Sequence, residues 1–219
     1  MITELPRTIA APPGEAPGAD ADGHPMRAVT RSVAFEPGWW DDDRRREVAA
    51  FFDALAPGWG SHDVPGREAP LIDALDRGLA AAPPAPAGWR TCIDVGGGTG
   101  LAAQVLASRF SHVVTCDIAV EMLRHAPPGT PGLLQADASR LPVPDASLDA
   151  LALSNCFLFP DEADRVLAPH GVIVWVNSRG TATPIHLPAH DVVAALPGAW
   201  TGVAAEAGWG TWAVVWRAP

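Results

Sequence analysis

Apolar residues recur at two different periods along the chain, and the change of period divides it. Between Asp41 and Ala56 the residues Val48, Phe51, Phe52 and Leu55 fall at i, i+3, i+4 and i+7, the spacing of one face of a helix. Asp41, Asp42 and Asp43 stand at its start, where a carboxylate caps free amides and suits the positive end of the helix dipole. Pro57-Gly58 closes it. A second helix is predicted from Pro65 to Ala82, with Leu71, Ile72, Leu75 and Leu79 on one side. The linker Pro83-Pro84-Ala85-Pro86-Ala87-Gly88 then breaks the chain.

Beyond the linker, apolar runs of strand length alternate with short helical stretches. The predicted strands are Arg90 to Val95, His112 to Cys116, Leu133 to Ala136, Leu148 to Leu153 and Val172 to Val176. Helices are expected after Gly100, over Ala119 to His125 and over Asp161 to Leu167. Such alternation implies a parallel sheet covered on both faces. The tail differs: Trp200 to Ala205 and Thr211 to Arg217, joined through Ala207-Gly208-Trp209-Gly210, read as a hairpin with Trp212, Val214 and Trp216 on one face. Residues 1 to 27 hold few apolar anchors and are expected to be disordered, with Met26 an alternative start. The reading is therefore α/β: a disordered tail over 1–27, a helical cap over 28–85, and a mostly parallel Rossmann-like sheet over 86–219 that ends in an antiparallel hairpin.

Composition narrows the function classes. With 15 basic and 25 acidic residues the net charge is −10, which opposes binding to a phosphate backbone. Every basic residue is Arg, and Arg44-Arg45-Arg46 directly follows three Asp, which suits a charge-laced helix start better than a nucleic-acid footprint. No apolar run approaches the ~20 residues of a membrane span, and no secretory signal stands at the N-terminus. The three Cys are scattered in apolar segments, which argues against a disulfide framework and for a cytoplasmic location. No spacing of Cys and His suggests a metal site.

The informative constellation is Asp94-Val-Gly96-Gly-Gly98-Thr-Gly100, set between a strand and a helix. Glycine lets the backbone turn tightly there and lets a ligand approach without a Cβ in the way. Alone, such a loop is ordinary strand-to-helix punctuation. Two further acids change that. Asp117 closes the next strand, where a carboxylate can accept from both hydroxyls of a ribose. Asp137 closes the third, followed by Ala138, where an adenine edge can be read. All three acids lie at strand carboxyl ends, where open α/β sheets bind ligands.

The stretch from Thr91 to Val176 resembles the class I S-adenosylmethionine-dependent methyltransferases, in the small-molecule branch that includes the ubiquinone/menaquinone methyltransferases. The resemblance rests on the loop Asp94 to Gly100, on Asp117-Ile-Ala-Val-Glu-Met-Leu123, Gln135-Ala-Asp-Ala138, Leu141-Pro-Val-Pro-Asp-Ala-Ser-Leu-Asp149 and Arg165-Val-Leu-Ala-Pro-His-Gly171, in that order. It implies S-adenosyl-L-methionine as cofactor and assigns roles by position. Gly96, Gly98 and Gly100 pass under the methionine part, and Asp94 orders the loop or the amino group. Asp117 holds the ribose, Ile118 packs on adenine, and Asp137 and Ala138 meet the adenine edge. Asn155 sits where the fourth strand opens toward the methyl group. Trp59 stands where the family usually has Tyr and is placed to face the sulfonium. Gly98-Thr-Gly100-Leu-Ala-Ala103 also fits the nicotinamide pattern G-x-G-x-x-A, but the Ala-Asp-Ala after the third strand has no role in a hydride enzyme.

Methyl transfer asks little of protein side chains beyond alignment and exclusion of water. Where a base is needed, His62, between the cap helices, and His186, after the fifth strand, are the candidates; Cys156 and His170 read as structural. No Asn/Asp-Pro-Pro-aromatic motif follows the fourth strand, where Ser154-Asn155-Cys156-Phe157 stands, which argues against amino groups of nucleobases or glutamine. The segment from Asn177 to Ala199 is short, so the lid is expected mainly from residues 28 to 85. The acceptor pocket is then open, or completed by a partner subunit as in a homodimer. The expected activity is methylation of O, C or N in a small organic acceptor by direct displacement; the alternative is a catalytically idle cofactor-binding module that supports a partner protein.

Overall fold

A computed structural model of the chain describes residues 1–14, 23–62 and 64–219, with the backbone alone at His62. Among these residues eight strands form one sheet: β1 (Ile2–Glu4), β2 (Thr91–Val95), β3 (His112–Asp117), β4 (Leu133–Gln135), β5 (Leu148–Ser154), β6 (Leu167–Asn177), β7 (Trp200–Ala207) and β8 (Gly210–Arg217). Their order is β1-β7-β8-β6-β5-β2-β3-β4. Only β8 runs antiparallel to its neighbours, β6 and β7. From β2 the chain first moves outward to β3 and β4, then returns to β5 and β6 on the other side. The carboxyl ends of β2 and β5 therefore flank a topological switch point, the place where such sheets hold ligands.

The period of two along each strand sends alternate side chains to opposite faces. Leu151, Leu153, Ile173, Trp175 and Val215 pack on one face, and Ala150, Ala152, Val174, Trp212 and Val214 on the other. The first face is covered by α7 (Pro160–Val166) and α8 (Ala189–Ala195). The second is covered by α3 (Ala69–Asp73), which continues through a π turn at Ala74–Gly78 into α4 (Leu79–Ala81), together with α5 (Leu101–Leu106). A buried anchor ties that layer down: Trp212 Nε1 donates to Asp73 Oδ2 at 2.7 Å, and Arg77 pairs with the same carboxylate at 2.5 Å.

Two expectations need correction. The helix predicted over Pro65 to Ala82 serves mainly to cover the sheet. Periodicity identified its buried side, but Leu71, Leu75 and Leu79 pack on the sheet face, and Ile72 stays exposed. The helices that overhang the strand ends are α1 (Pro25–Phe35) and α2 (Asp42–Leu55), followed by a 3-10 segment, Ala56–His62. The start of the chain also departs from the expected disorder over 1–27. Ile2, Thr3 and Glu4 pair in parallel with Gly202, Val203 and Ala204. The Leu5 amide donates to Ala204 O at 2.8 Å, and Arg7 donates to the Gly208 carbonyl. Edge pairing is made by backbone groups and leaves little apolar pattern to read. Residues 15–22 of that stretch lie outside the described residues.

Asp41 caps α2 as expected, accepting from the Arg44 amide at 2.9 Å, and Arg44, Arg45 and Arg46 each pair three residues back with an Asp. α2 crosses to α6 (Val120–Arg124), where Asp53 Oδ1 accepts from the Glu121 amide at 2.8 Å. No helix among the described residues is long and apolar enough to cross a membrane.

Candidate active site

A chamber of about 600 Å³ lies between the strand ends and the overhanging helices. Its floor is built from the carboxyl ends of β2, β3, β4 and β5. Asp94, Gly96, Gly98, Asp117, Ile118, Asp137, Ala138 and Asn155 all line it, as does Trp59 from above. The sequence thus located one contiguous surface from separate motifs.

Each acid is held differently. Asp117 Oδ2 accepts from the Gly98 amide and Oδ1 from the Ala119 amide, both at 2.8 Å. Burial raises its carboxyl above the usual value, against the pull of those amides. Each oxygen keeps one further lone pair. Asp94 is fully buried, and neither carboxylate oxygen completes a well-formed hydrogen bond among the described residues, the Ala103 amide exerting only a minor pull. Burial, and then the negative charge of Asp117, pushes it up to about 7. Asp137 Oδ1 accepts from the Ser139 amide at 2.8 Å, and Trp40 Nε1 lies 3.2 and 3.3 Å from its two oxygens. Arg45 stands 3.6 Å away.

The glycine turn has the conformation the motif implies. Gly96 and Gly98 have φ of +62° and +58°, in the left-handed region. A Cβ on Gly96 would overlap the Cys156 thiol. On Gly98 it would meet only Trp59 Nε1 at 3.8 Å and Met122 Sδ at 3.9 Å, in the open chamber. Gly100 is a departure. It lies under Thr130 and does not line the chamber, so its glycine serves the turn into α5. Asn155 has φ +53°, rare for a residue with a side chain, and strain of this kind gathers at functional sites. Burial, with Asp117 and Asp94 nearby, holds the Cys156 thiol well above its usual value, so it is no nucleophile.

The candidate bases fare differently. His62 ends the 3-10 segment that carries Trp59. His186 is half buried beside Arg27, at 3.4 Å, and does not line the chamber; burial, then the Arg27 charge, lowers it. The acceptor role expected for it has no support in this placement. His170 bonds Asp149 at 2.8 Å, a structural pairing as expected.

Sequence reasoning missed several lining residues. Trp40, His24, Ser178 and Arg179 all face the chamber. His24 accepts from the Met26 amide through Nδ1 at 3.2 Å, with Pro25 at the first turn of α1. A capping side chain before a proline is a helix-start signal that would have found α1 and placed His24 at its end. The roof is apolar, formed by Val48, Phe51, Phe52, Leu55 and Trp59, with Phe52 edge-on to Trp59 at 6.1 Å.

Comparison with known proteins agrees with this geometry. Residues 93–175 match the family model described as a methyltransferase domain. An uncharacterized methyltransferase of Mycobacterium tuberculosis is 34% identical over 125 residues, which are 49% of this chain and 51% of that protein. One from Mycobacterium bovis gives the same figures. The chain spans about half the length of these curated relatives. Among solved structures, the DhpI–SAH complex superposes with a TM-score of 0.61 at 18% identity, over 80% of this chain and 97% of that one. A type 11 methyltransferase from Sulfolobus solfataricus gives 0.50 at 17% identity, over 59% and 84%. At such identities the likeness is one of fold.

Proposed function

We propose that residues 93–175, which match a methyltransferase domain, form a class I, Rossmann-like methyltransferase and that the protein methylates an O, C or N atom of a small organic acceptor, using S-adenosyl-L-methionine. The observation that carries the proposal is Asp94. A buried carboxylate with no well-formed hydrogen bond is costly, and native proteins rarely keep one without a use. The chamber brings it within reach of a ligand, and the ammonium group of the cofactor supplies the missing donors.

The rest of the floor fits the same group. Gly96 and Gly98 present backbone without side chains to the methionine part. Asp117, with one lone pair left on each oxygen, suits a ribose diol. Ile118 gives the adenine an apolar face, Asp137 and Ala138 meet its edge, and Asn155 stands at the methyl end. Trp59 overhangs Gly98 from the roof, where an aromatic ring suits a sulfonium.

When bound, the cofactor would supply a methyl group on a sulfonium, open to direct displacement by an acceptor lone pair with the thioether as leaving group. The chain's own residues then have to align and to exclude water. The apolar roof of α2 and Trp59 serves both ends. His62 remains the candidate base of this reading, carried by the same segment as Trp59. The net charge of −10 favours a small molecule over a nucleic acid as acceptor. Three unpaired cysteines favour a reducing cytoplasm.

Calorimetry with S-adenosyl-L-homocysteine tests the cofactor assignment. Binding is expected, and Asp117→Ala should weaken it. No binding, with binding of NAD instead, overturns the reading. A screen of extract metabolites for transfer of labelled methyl then tests turnover; tight cofactor binding with a persistent blank would favour an idle module.

A further inference from the structure

The chamber has walls of opposite polarity. Its floor carries the carboxylates Asp94, Asp117 and Asp137. The segment after β6 and the start of α1 carry hydrogen-bond donors. Ser178 is 4% exposed and clamped to Asn155: its amide donates to Asn155 Oδ1, and its Oγ accepts from Asn155 Nδ2, both at 2.9 Å. The clamp consumes the amide and one lone pair of the hydroxyl. In the hydrogen bonds among the described residues Oγ acts only as acceptor, so its proton is left to give.

His24 is likewise committed. Its Nδ1 accepts from the Met26 amide, so the neutral ring carries its proton on Nε2. The second nitrogen is a donor and cannot act as a base without losing the cap. Arg179 follows Ser178 in the chain, is partly buried, and lines the same chamber. A guanidinium has five donors in a rigid fork, enough to serve more than one partner. Arg27 draws these groups together. It donates to the Thr181 carbonyl and so docks the start of α1 against the turn that holds Ser178 and Arg179. Apart from Thr183, which holds the Arg179 amide, much of the remaining surface on this side is apolar, with Met26, Phe157, Phe159 and Ile185.

We propose that the acceptor is an apolar, ring-sized organic acid whose carboxylate is received by His24 Nε2–H, Ser178 O–H and the Arg179 guanidinium. The inference rests on the methyltransferase reading and names the substrate class of that site. Three donors from two segments line this part of the chamber, which suits an oxygen anion better than an amine. The cationic cofactor would occupy the acidic floor, so each partner meets the wall of opposite charge. The carboxylate is a recognition group; the methylated atom lies elsewhere on the acceptor, toward Asn155.

The test uses protein saturated with S-adenosyl-L-homocysteine and three matched probes: naphthalene-2-carboxylate, naphthalene-2-carboxamide and 2-naphthylmethylamine. Calorimetry should give the carboxylate at least about tenfold tighter than the amide, as charge-assisted bonds are about twice as strong as neutral ones. The ammonium probe should not bind. Ser178→Ala and Arg179→Gln should each reduce the carboxylate-to-amide ratio while leaving amide affinity in place, and Arg179→Lys should restore part of it. A general loss of structure would lower both probes together. Equal binding of carboxylate and amide, preference for the amine, or binding of none of the three by the loaded protein overturns the proposal. Failure to load with S-adenosyl-L-homocysteine overturns the methyltransferase reading instead.

Discussion

The indole Nε1 of Trp40 donates to the carboxylate of Asp137, 3.2 Å from one oxygen and 3.3 Å from the other. This bond joins the residue just before α2 to the end of β4, and so ties the overhang to the floor. The carboxylate has about four lone-pair sites. The Ser139 amide and Trp40 leave room for one more donor, so the bond need not break when a ligand arrives.

Trp40→Phe should therefore loosen the overhang without emptying it. The ring keeps its edge contact with Phe159 at 5.2 Å and its tilted contact with Phe157 at 6.0 Å, and only the donor is lost. One hydrogen bond is worth about 0.5–1.5 kcal/mol net, so S-adenosyl-L-homocysteine affinity should fall by about two- to tenfold. Amide exchange should quicken in α2 and not in β5 or β6. Unchanged or tighter binding would mean that Trp40 competes with the ligand instead of sharing Asp137.

Asp94 gives a pH dependence with a definite sign. Its folded-state value, about 7, lies above the usual ~3.9 of an unfolded Asp. Between those values the folded chain binds the extra proton, so the stability this group contributes falls as pH rises from about 4 to about 7. Ligand binding runs the other way. An ammonium favours the ionised carboxylate, so affinity for S-adenosyl-L-homocysteine should rise about tenfold from pH 6 to pH 8, with proton release detectable in buffers of different ionisation heat. Asp94→Asn should flatten both profiles. A flat profile in the unsubstituted protein would place the ammonium elsewhere.

What was legible in the sequence was what local chain order decides. Asp94, Asp117 and Asp137 each close a strand, and a parallel sheet brings all such ends to one edge, so three distant motifs give one floor. The donors opposite were not legible. Ser178 and His24 line one chamber from distant segments, and Arg27 docks α1 on the turn at Thr181, a contact between segments with no shared pattern. Periodicity marked the buried side of residues 65–82 but not its main partner, which is the sheet face. β1 escaped notice because backbone groups make its pairing.

The glycines of the turn should separate by their surroundings. Gly98→Ala places a methyl group in open chamber, so the fold should bear only the left-handed strain of about 1–2 kcal/mol. Cofactor binding should nevertheless fall by two orders of magnitude or more, because the methyl group fills the space a ligand needs. Gly100→Ala would overlap Thr130 instead and should act on folding, with Thr130→Ala restoring part of the lost stability. Thermal melts beside calorimetry read both effects. Normal binding by Gly98→Ala would remove that position from the ligand's path.

Removing residues 1–9 should cost stability without touching the chamber. The deletion strips β1 from β7 and with it the bonds of Leu5 to Ala204, Arg7 to Glu206 and Thr8 to Asp73. None of these residues lines the chamber. Several backbone bonds at about 0.5–1.5 kcal/mol each predict a loss of a few kcal/mol in urea titration. The bared edge of β7, with Gly202, Val203 and Ala204 unpaired, invites pairing with a second copy, so oligomers should appear on size exclusion. S-adenosyl-L-homocysteine affinity of the monomer should stay within about twofold of the full chain, a difference below ~0.5 kcal/mol. A start at Met26 would produce the same bare edge. If the shortened chain stays monomeric and equally stable, β1 is an ornament of the sheet; if it folds but loses ligand, the N-terminal strand reaches the floor by a route the chamber's lining does not contain.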